Sequence, residues 1–218
     1  MKNHLKIMAG SSNPELVQEI CEYLDILPGR QQIERSPNGN IKVKIQENVR
    51  EDDVFVLQTS SPPVNDNFIE LLLLIDALKY ASARRITAIL PYFPYVRSDK
   101  KDEPRAPISA KLLANLLEST KIDRLVSIDL HAAQIQGFLD TPFDNLYSAI
   151  LVIDKLDNTI FKNLTLDERQ KKFIVVSPDA GGAKRTLALA KHMKLNTIMT
   201  LTSSFGINSY PKLMKKHK

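Results

Sequence analysis

Short apolar runs alternate with segments of helical period along most of the chain. "LKIMAG", "IKVKI", "DVFVLQT", "RITAILP", "RLVSIDL", "FIVVSPD" and "TIMTLT" predict strands. Most are continuous rather than alternating, as expected for strands buried on both faces of a parallel sheet. Helical period predicts helices over about 13–26, 66–82, 107–119, 149–162 and 182–194. Strand-helix alternation of this kind predicts the α/β class, with parallel strands joined by right-handed crossovers.

The ends of these elements carry their own signals. Ser12 and Glu15 read as a capping box, with Pro14 in the first turn. In the 66–82 segment, Phe68, Leu71, Leu72, Ile75 and Leu78 form one stripe, while Ile69, Leu73 and Leu74 spread apolar surface around the other side. A helix apolar nearly all round is expected in an interior or at an interface, so self-association is expected. About five strands precede residues 146–150, enough for one sheet. The expected domains are therefore 1–148 and 149–218. The second holds a helix, the polar stretch "FKNLTLDERQKK" and one β-α-β unit, which is little core for an independent domain.

Composition narrows the class further. The chain has 218 residues, 43% of them hydrophobic and 25% charged, which excludes wholesale disorder. The single cysteine, Cys21, excludes an internal disulfide framework and falls on the apolar side of the first helix, so it is expected in the core. The longest apolar run, "FIELLLLIDAL", carries Glu70 and Asp76 and is too short for a membrane span. The N-terminus lacks a signal-peptide core, so a cytoplasmic protein is expected. The net charge of +5 favours anionic small molecules, and no nucleic-acid module is recognisable.

Three stretches carry candidate chemistry. In "DLHAAQIQGFLDTPFDN", Asp129 and His131 fall at the end of an apolar strand, where open α/β sheets bind ligands. Strand alternation would turn them to one side, and Asp140 and Asp144 would add carboxylates nearby. Carboxylates suit Mg²⁺ shared with a substrate phosphate. The same residues could instead cap and begin a helix. In "PYFPYVRSDKKDEPRAPISAK", Arg97, Lys100, Lys101, Arg105 and Lys111 are interleaved with Asp99, Asp102 and Glu103. Such a loop could hold a polyphosphate or be solvated surface. In "VVSPDAGGAKR", Gly181 and Gly182 would let backbone amides approach an anion at a helix start, or form an ordinary turn.

Taken together, "RSDKKDEPRAPISAKLLANLL", "DLHAAQIQGFLDTPFDNLY" and "SPDAGGAKR", with "NDNFIELLLLIDALKYASARRITAILPYFPY", closely resemble the ribose-phosphate diphosphokinase (PRPP synthetase) family over about residues 5–196. The resemblance implies tandem phosphoribosyltransferase-like (Rossmann-like) α/β domains, the second incomplete here, in an oligomer. It implies transfer of the diphosphoryl group of Mg²⁺-bound ATP to ribose 5-phosphate, giving PRPP for nucleotide biosynthesis. It places Arg97, Asp99, Lys100, Lys101 and Asp102 in the ATP-contacting loop and His131 against Mg²⁺ and ATP. Asp129, His131, Asp140, Asp144 and Asp179 take metal positions, the last with ribose as an alternative partner.

The departures bear on activity. Where the family has an aromatic and a glutamate gripping adenine across a subunit interface, this chain reads "SPNGN", keeping Asn38 but placing Ser36 and Asn40 at those two positions. Ser98 stands where Gln is usual. The family's flexible catalytic loop with Lys and Arg aligns with Thr202 and Ser204, and the ribose-phosphate loop has no counterpart. The expectation is a C-terminally truncated member, weak or inactive alone, or a non-catalytic subunit in a homo- or hetero-oligomer with PRPP synthetase subunits.

Overall fold

In a computed structural model, residues 5–177, 179 and 181–199 are described. The chain forms two compact units, Met1–Tyr147 and Ser148–Lys218. The first unit is built on β1 (Leu5–Ala9), β4 (Asp53–Leu57), β5 (Arg85–Leu90), β6 (Arg124–Ile128) and β7 (Phe143–Leu146), with β2 (Gln31–Arg35) and β3 (Ile41–Ile45) set apart. The five main strands are parallel in the order β1-β4-β5-β6-β7, whereas β2 and β3 form a separate antiparallel hairpin.

Residue alternation divides the core between the two faces of this sheet. Val54 and Val56 of β4 point to the side covered by α2 (Val64–Tyr80) and α3 (Ser109–Ser119). Phe55 and Leu57 point to the side where α1 (Pro14–Tyr23) brings Val17 and Cys21. Cys21 is fully buried, as its place in the helical pattern predicts. The buried line on α2 runs through Phe68, Leu71, Leu74, Ile75 and Leu78, each worth about 2 kcal/mol of burial. Leu72 is only half-buried, and Ile69 and Leu73 face solvent in the single chain.

Three local expectations need correction. "IKVKI" does not join the parallel sheet: its lysines alternate outward, and it pairs with the polar "QQIER". The fifth place in the sheet belongs to "FDNL", too short and polar to read as a buried strand by composition. The cap of α1 is Asn13, whose side chain accepts from the Leu16 amide at 3.1 Å; Ser12 is drawn elsewhere.

Ser12 belongs to a polar network at the carboxyl ends of β1 and β4. Its hydroxyl bonds Gln58 and accepts from the Thr59 amide at 2.8 Å. Buried Glu70 of α2 accepts from the Ser11 amide (2.6 Å), the Ser11 hydroxyl (2.7 Å) and Gln58 Nε2 (2.8 Å). A carboxylate can be buried on the apolar side of a helix when it receives this many donors. Gly10 is required beside it, since a β-carbon there would meet Gln58 Oε1 at 2.2 Å.

At the other edge of the sheet, Glu118 near the end of α3 accepts from the amides of Asp140 (2.6 Å) and Thr141 (3.0 Å). The Thr141 amide, outweighing the effect of burial and aided by the Asp140 amide, holds the Glu118 carboxyl below its usual range. Glu118 thereby ties the entry to β7 onto α3.

The second unit contains α4 (Ala149–Asn158), α5 (Leu166–Lys172), β8 (Ile174–Ser177), α6 (Ala183–Met193) and β9 (Asn196–Met199). β8 and β9 form a two-stranded parallel sheet with α6 between them in sequence. The helix α5 lies in the stretch that composition marks only as polar. A capping box starts it: Thr165 Oγ1 accepts from the Glu168 amide while Glu168 accepts from the Thr165 amide.

Replacing Glu70 by Ala would leave three donors without their acceptor. We expect a loss of about 3 kcal/mol, measured by urea unfolding. The Glu118 contribution has the sign of a depressed carboxyl: present above its unfolded pKa, about 4.3, and lost as pH falls through the folded value. Hydrogen exchange should show the Asp140 and Thr141 amides losing protection in that acid range, and Glu118→Ala should remove the protection at neutral pH as well.

Candidate functional site

The carboxyl edge of the five-stranded sheet gathers most of the candidate residues. β5 and β6 are neighbours, with Leu90 opposite Ser127. The Ile128 amide donates to the Pro91 carbonyl at 3.2 Å, so the segments after the two strands leave the sheet side by side. One is the long loop between β5 and α3; the other begins at Asp129.

The loop after β5 is fixed at its base and charged along its outer part. Phe93 and Val96 are buried in the main core, while Tyr95 takes a left-handed backbone (φ 53°) and its hydroxyl donates to Asn65 Oδ1 at 2.7 Å. Ser98 accepts from the Ala110 amide through its carbonyl (3.1 Å), and its hydroxyl lies 3.4 Å from the Ser109 amide. One serine thus ties the loop to the start of α3, a role invisible in its one-residue departure from the family pattern. Arg97, Lys100, Lys101 and Asp102 are exposed and Asp99 is half-buried. Lys100 and Asp102 form an exposed ion pair at 3.2 Å, a contact weak enough in water to be exchanged for a phosphate. Lys111 is not a free cation of this loop, because its Nζ donates to the Phe138 carbonyl at 2.5 Å.

At the second segment, β6 ends at Ile128 and Asp129 takes a left-handed backbone with φ 50°. Aspartate tolerates this region better than most residues. β7 holds the turn in place: the Asp129 amide donates to the Leu146 carbonyl at 2.8 Å, and the Leu130 amide to Asn145 Oδ1 at 3.0 Å. The strand alternation expected to align Asp129 with His131 therefore stops before either residue. The helix-cap alternative also fails, since the following 3-10 helix spans Ala133–Phe138 behind an extended Ala132 with no side-chain cap. Asp129 is half-buried and His131 exposed, both at the carboxyl edge.

Asp140 and Asp144 are placed apart from these two. Asp140 lies at the opposite edge, where its amide meets Glu118. Asp144 is opposite Val126 inside β7 and forms an ion pair with Arg124 at the start of β6. The physical reason is the direction of the chain: it must return to the amino edge before a parallel β7 can run forward. Among the described residues, no three His, Cys, Asp or Glu side chains gather as a metal cluster. One carboxylate at Asp129 still fits Mg²⁺, which commonly takes one or two protein carboxylates and completes its shell with phosphate and water.

The two remaining candidates lie elsewhere. Asn38 is exposed in the turn between β2 and β3, where its Oδ1 accepts from the Asn40 amide at 3.2 Å and Gly39 supplies φ 85°. Arg35, beside this turn, pairs with Asp66 of α2 at 2.8 Å. Asp179 belongs to the second unit, where Oδ1 accepts from the Gly182 amide at 2.7 Å. That amide is thus engaged by the chain's own carboxylate, as in an ordinary strand-to-helix turn. Gly182 is needed at that position, because a β-carbon would meet Ser177 Oγ at 2.8 Å. Thr202 and Ser204 lie outside the described residues.

Comparison with known proteins places this architecture. The sequence profile of the N-terminal domain of ribose phosphate pyrophosphokinase matches residues 5–120. A ribose-phosphate pyrophosphokinase of Rhizobium meliloti is 50% identical over 190 residues, which cover 87% of this chain and 58% of the relative. Ribose-phosphate pyrophosphokinase 2 of Schizosaccharomyces pombe is 45% identical over 194 residues, covering 89% and 59%. The crystal structure of phosphoribosylpyrophosphate synthetase from Mycobacterium smegmatis superposes with a TM-score of 0.81 at 41% identity, over 93% of this chain and 66% of that one. The chain thus spans about three-fifths of the length of these curated relatives. With a profile match over more than half its residues, and the α/β architecture to go with it, the chain belongs to the ribose-phosphate pyrophosphokinase family.

Proposed function

We propose that the first unit holds the triphosphate of ATP between the loop after β5 and the turn at Asp129, as the nucleotide half of a PRPP-forming site. The observation that carries this is the side-by-side departure of the two segments, which puts Arg97, Lys100 and Lys101 on a loop neighbouring Asp129 and His131. Arg97 offers a planar fork to phosphate oxygens, and Lys100 and Lys101 act as point charges. Asp99 and Asp102 belong to the same ATP-contacting loop, and Asp102 pairs with Lys100 in the free protein. Asp129 would hold Mg²⁺, with His131 beside it contacting the metal and the nucleotide. A Mg²⁺ held by Asp129 would supply neutralisation of phosphate charge for the attack of the ribose hydroxyl on the β-phosphorus, the bond to AMP breaking and the hydroxyl proton passing to solvent.

The remaining roles lie in other parts of an assembly. Asn38, at a hairpin tip, would reach the adenine of a neighbouring subunit's nucleotide. Asp179 would contact metal or ribose from the second unit. The first of these roles needs a homo- or hetero-oligomer of PRPP synthetase subunits, in the cytoplasm. Among the described residues no helix is long and apolar enough to cross a membrane.

A second reading is favoured by the residue types at 202 and 204. The relatives carry about two-fifths of their residues beyond the match. Thr202 and Ser204 stand where the resemblance expects cationic catalytic groups, and a missing cation in phosphoryl transfer can cost several orders of magnitude. The 218-residue chain alone is then an ATP-binding subunit that makes little or no PRPP.

Titration calorimetry with Mg·ATP should detect binding. Arg97→Ala and Lys101→Ala should each weaken it about tenfold, the equivalent of about 1.4 kcal/mol. Lys79→Ala, at the end of α2 on the other edge of the sheet, should leave it unchanged. AMP release should not rise when ribose 5-phosphate is added; robust sugar-dependent turnover would assign the complete reaction to this chain.

A further inference from the structure

Arg97, Lys100, Lys101 and Asp129 answer the charge of a nucleotide. Its flat base calls for an aromatic or apolar surface as well. Tyr92 offers one at the same edge. It follows Pro91 directly after β5 and is 51% exposed. The Pro91 carbonyl accepts from the Ile128 amide at 3.2 Å, so Tyr92 leaves the sheet beside Asp129.

The fold holds Tyr92 in place without using its ring. Phe93, the next residue, is 1% exposed and packs on Phe143 of β7 with 5.8 Å between ring centroids. Phe93 and Val96 carry the loop into the core, and Tyr92 belongs to neither core cluster. Its hydroxyl has no hydrogen-bond partner among the described residues. The result is a half-exposed ring on a backbone fixed from both sides.

Other exposed tyrosines near this edge are less suited. Tyr95 spends its hydroxyl on Asn65 of α2. Tyr147 follows β7, so β6 and Asp129 separate it from the cationic loop after β5. The hairpin tip, with Ser36, Asn38 and Asn40, carries no aromatic ring.

We propose that Tyr92 is the platform on which the base of the bound nucleotide stacks, within the same chain that holds its triphosphate. The inference rests on the triphosphate reading of this edge. Stacking on an aromatic ring is indifferent to the hydrogen-bonding edge of a base, because every base has a flat face. Tyr92 therefore adds affinity for nucleoside triphosphates as a class, and discrimination of adenine falls to groups that reach its edge.

The test is titration calorimetry of the full 218-residue chain with Mg·ATP, Mg·GTP and Mg·tripolyphosphate, the last having no base. Tyr92→Ala should weaken Mg·ATP and Mg·GTP by about tenfold each and leave Mg·tripolyphosphate unchanged. Tyr92→Phe, which keeps the ring, should bind all three as the parent does. The proposal is overturned if Tyr92→Ala binds both nucleotides as tightly as the parent. Equal weakening of tripolyphosphate would make Tyr92 a support of the loop rather than a platform, and would also overturn it. So would a tenfold loss with Tyr147→Ala in place of Tyr92→Ala, which would move the base to the β7 side. A parent chain that binds neither tripolyphosphate nor nucleotide overturns the triphosphate reading, and this inference with it. A parent chain that binds all three, with no effect of Tyr92→Ala, overturns this inference alone.

Discussion

A parallel strand is tied to its neighbours along both edges and needs apolar cover on both faces, and much of the first unit can be understood from that demand. Continuous runs such as "DVFVL" split their side chains between two layers, Val54 and Val56 to α2 and α3, Phe55 and Leu57 to α1. Parallel pairing also sends every connection back to the amino edge before the next strand begins. The carboxyl edge is thereby left to loop beginnings, and the amino edge to loop endings. Asp129 and the charged loop after β5 lie at the first edge; Asp140 lies at the second.

Hydrogen bonds within the chain hold the segments at the carboxyl edge. The left-handed turn at Asp129 is held by β7 through the Leu146 carbonyl and the Asn145 side chain. The charged loop is pinned through Ser98 to α3 and through Tyr95 to α2. On the far side of the edge, Glu70 collects Ser11 and Gln58 into one network. Polar groups that would be costly to bury singly become supports when each finds its partner. Cations such as Arg97 and Lys101 are exposed on a loop whose base is hydrogen-bonded to α2 and α3.

The second unit obeys the rule only halfway. α6 covers one face of β8 and β9, and Ile174 and Val176 occupy the other. Asp179 shows how local chemistry persists in such a setting: its carboxylate engages the Gly182 amide and closes the turn. The β-α-β unit keeps its local geometry with a two-stranded sheet among the described residues.

Much of the architecture was legible in the chain. Apolar runs with a period near 3.6 marked α1, α2, α3, α4 and α6, and unbroken β-branched runs marked β1, β4, β5, β6, β8 and β9, because burial on two faces leaves a composition no loop shares. Three quoted motifs carried the family, since their residue types recur together in one order. What failed was what depends on partners distant in sequence. "FDNL" is a strand because β6 offers its edge, and "IKVKI" leaves the parallel sheet because "QQIER" pairs with it. Ser12 caps nothing because Gln58 and Thr59 take its hydroxyl. Asp144 lay near Asp129 in sequence, yet Arg124 claims it inside the sheet. Sequence by itself determined the layers, the family and the set of charged residues. Tertiary structure decided which of those charges share an edge, because strand register and chain direction, rather than spacing along the chain, set where a side chain ends up.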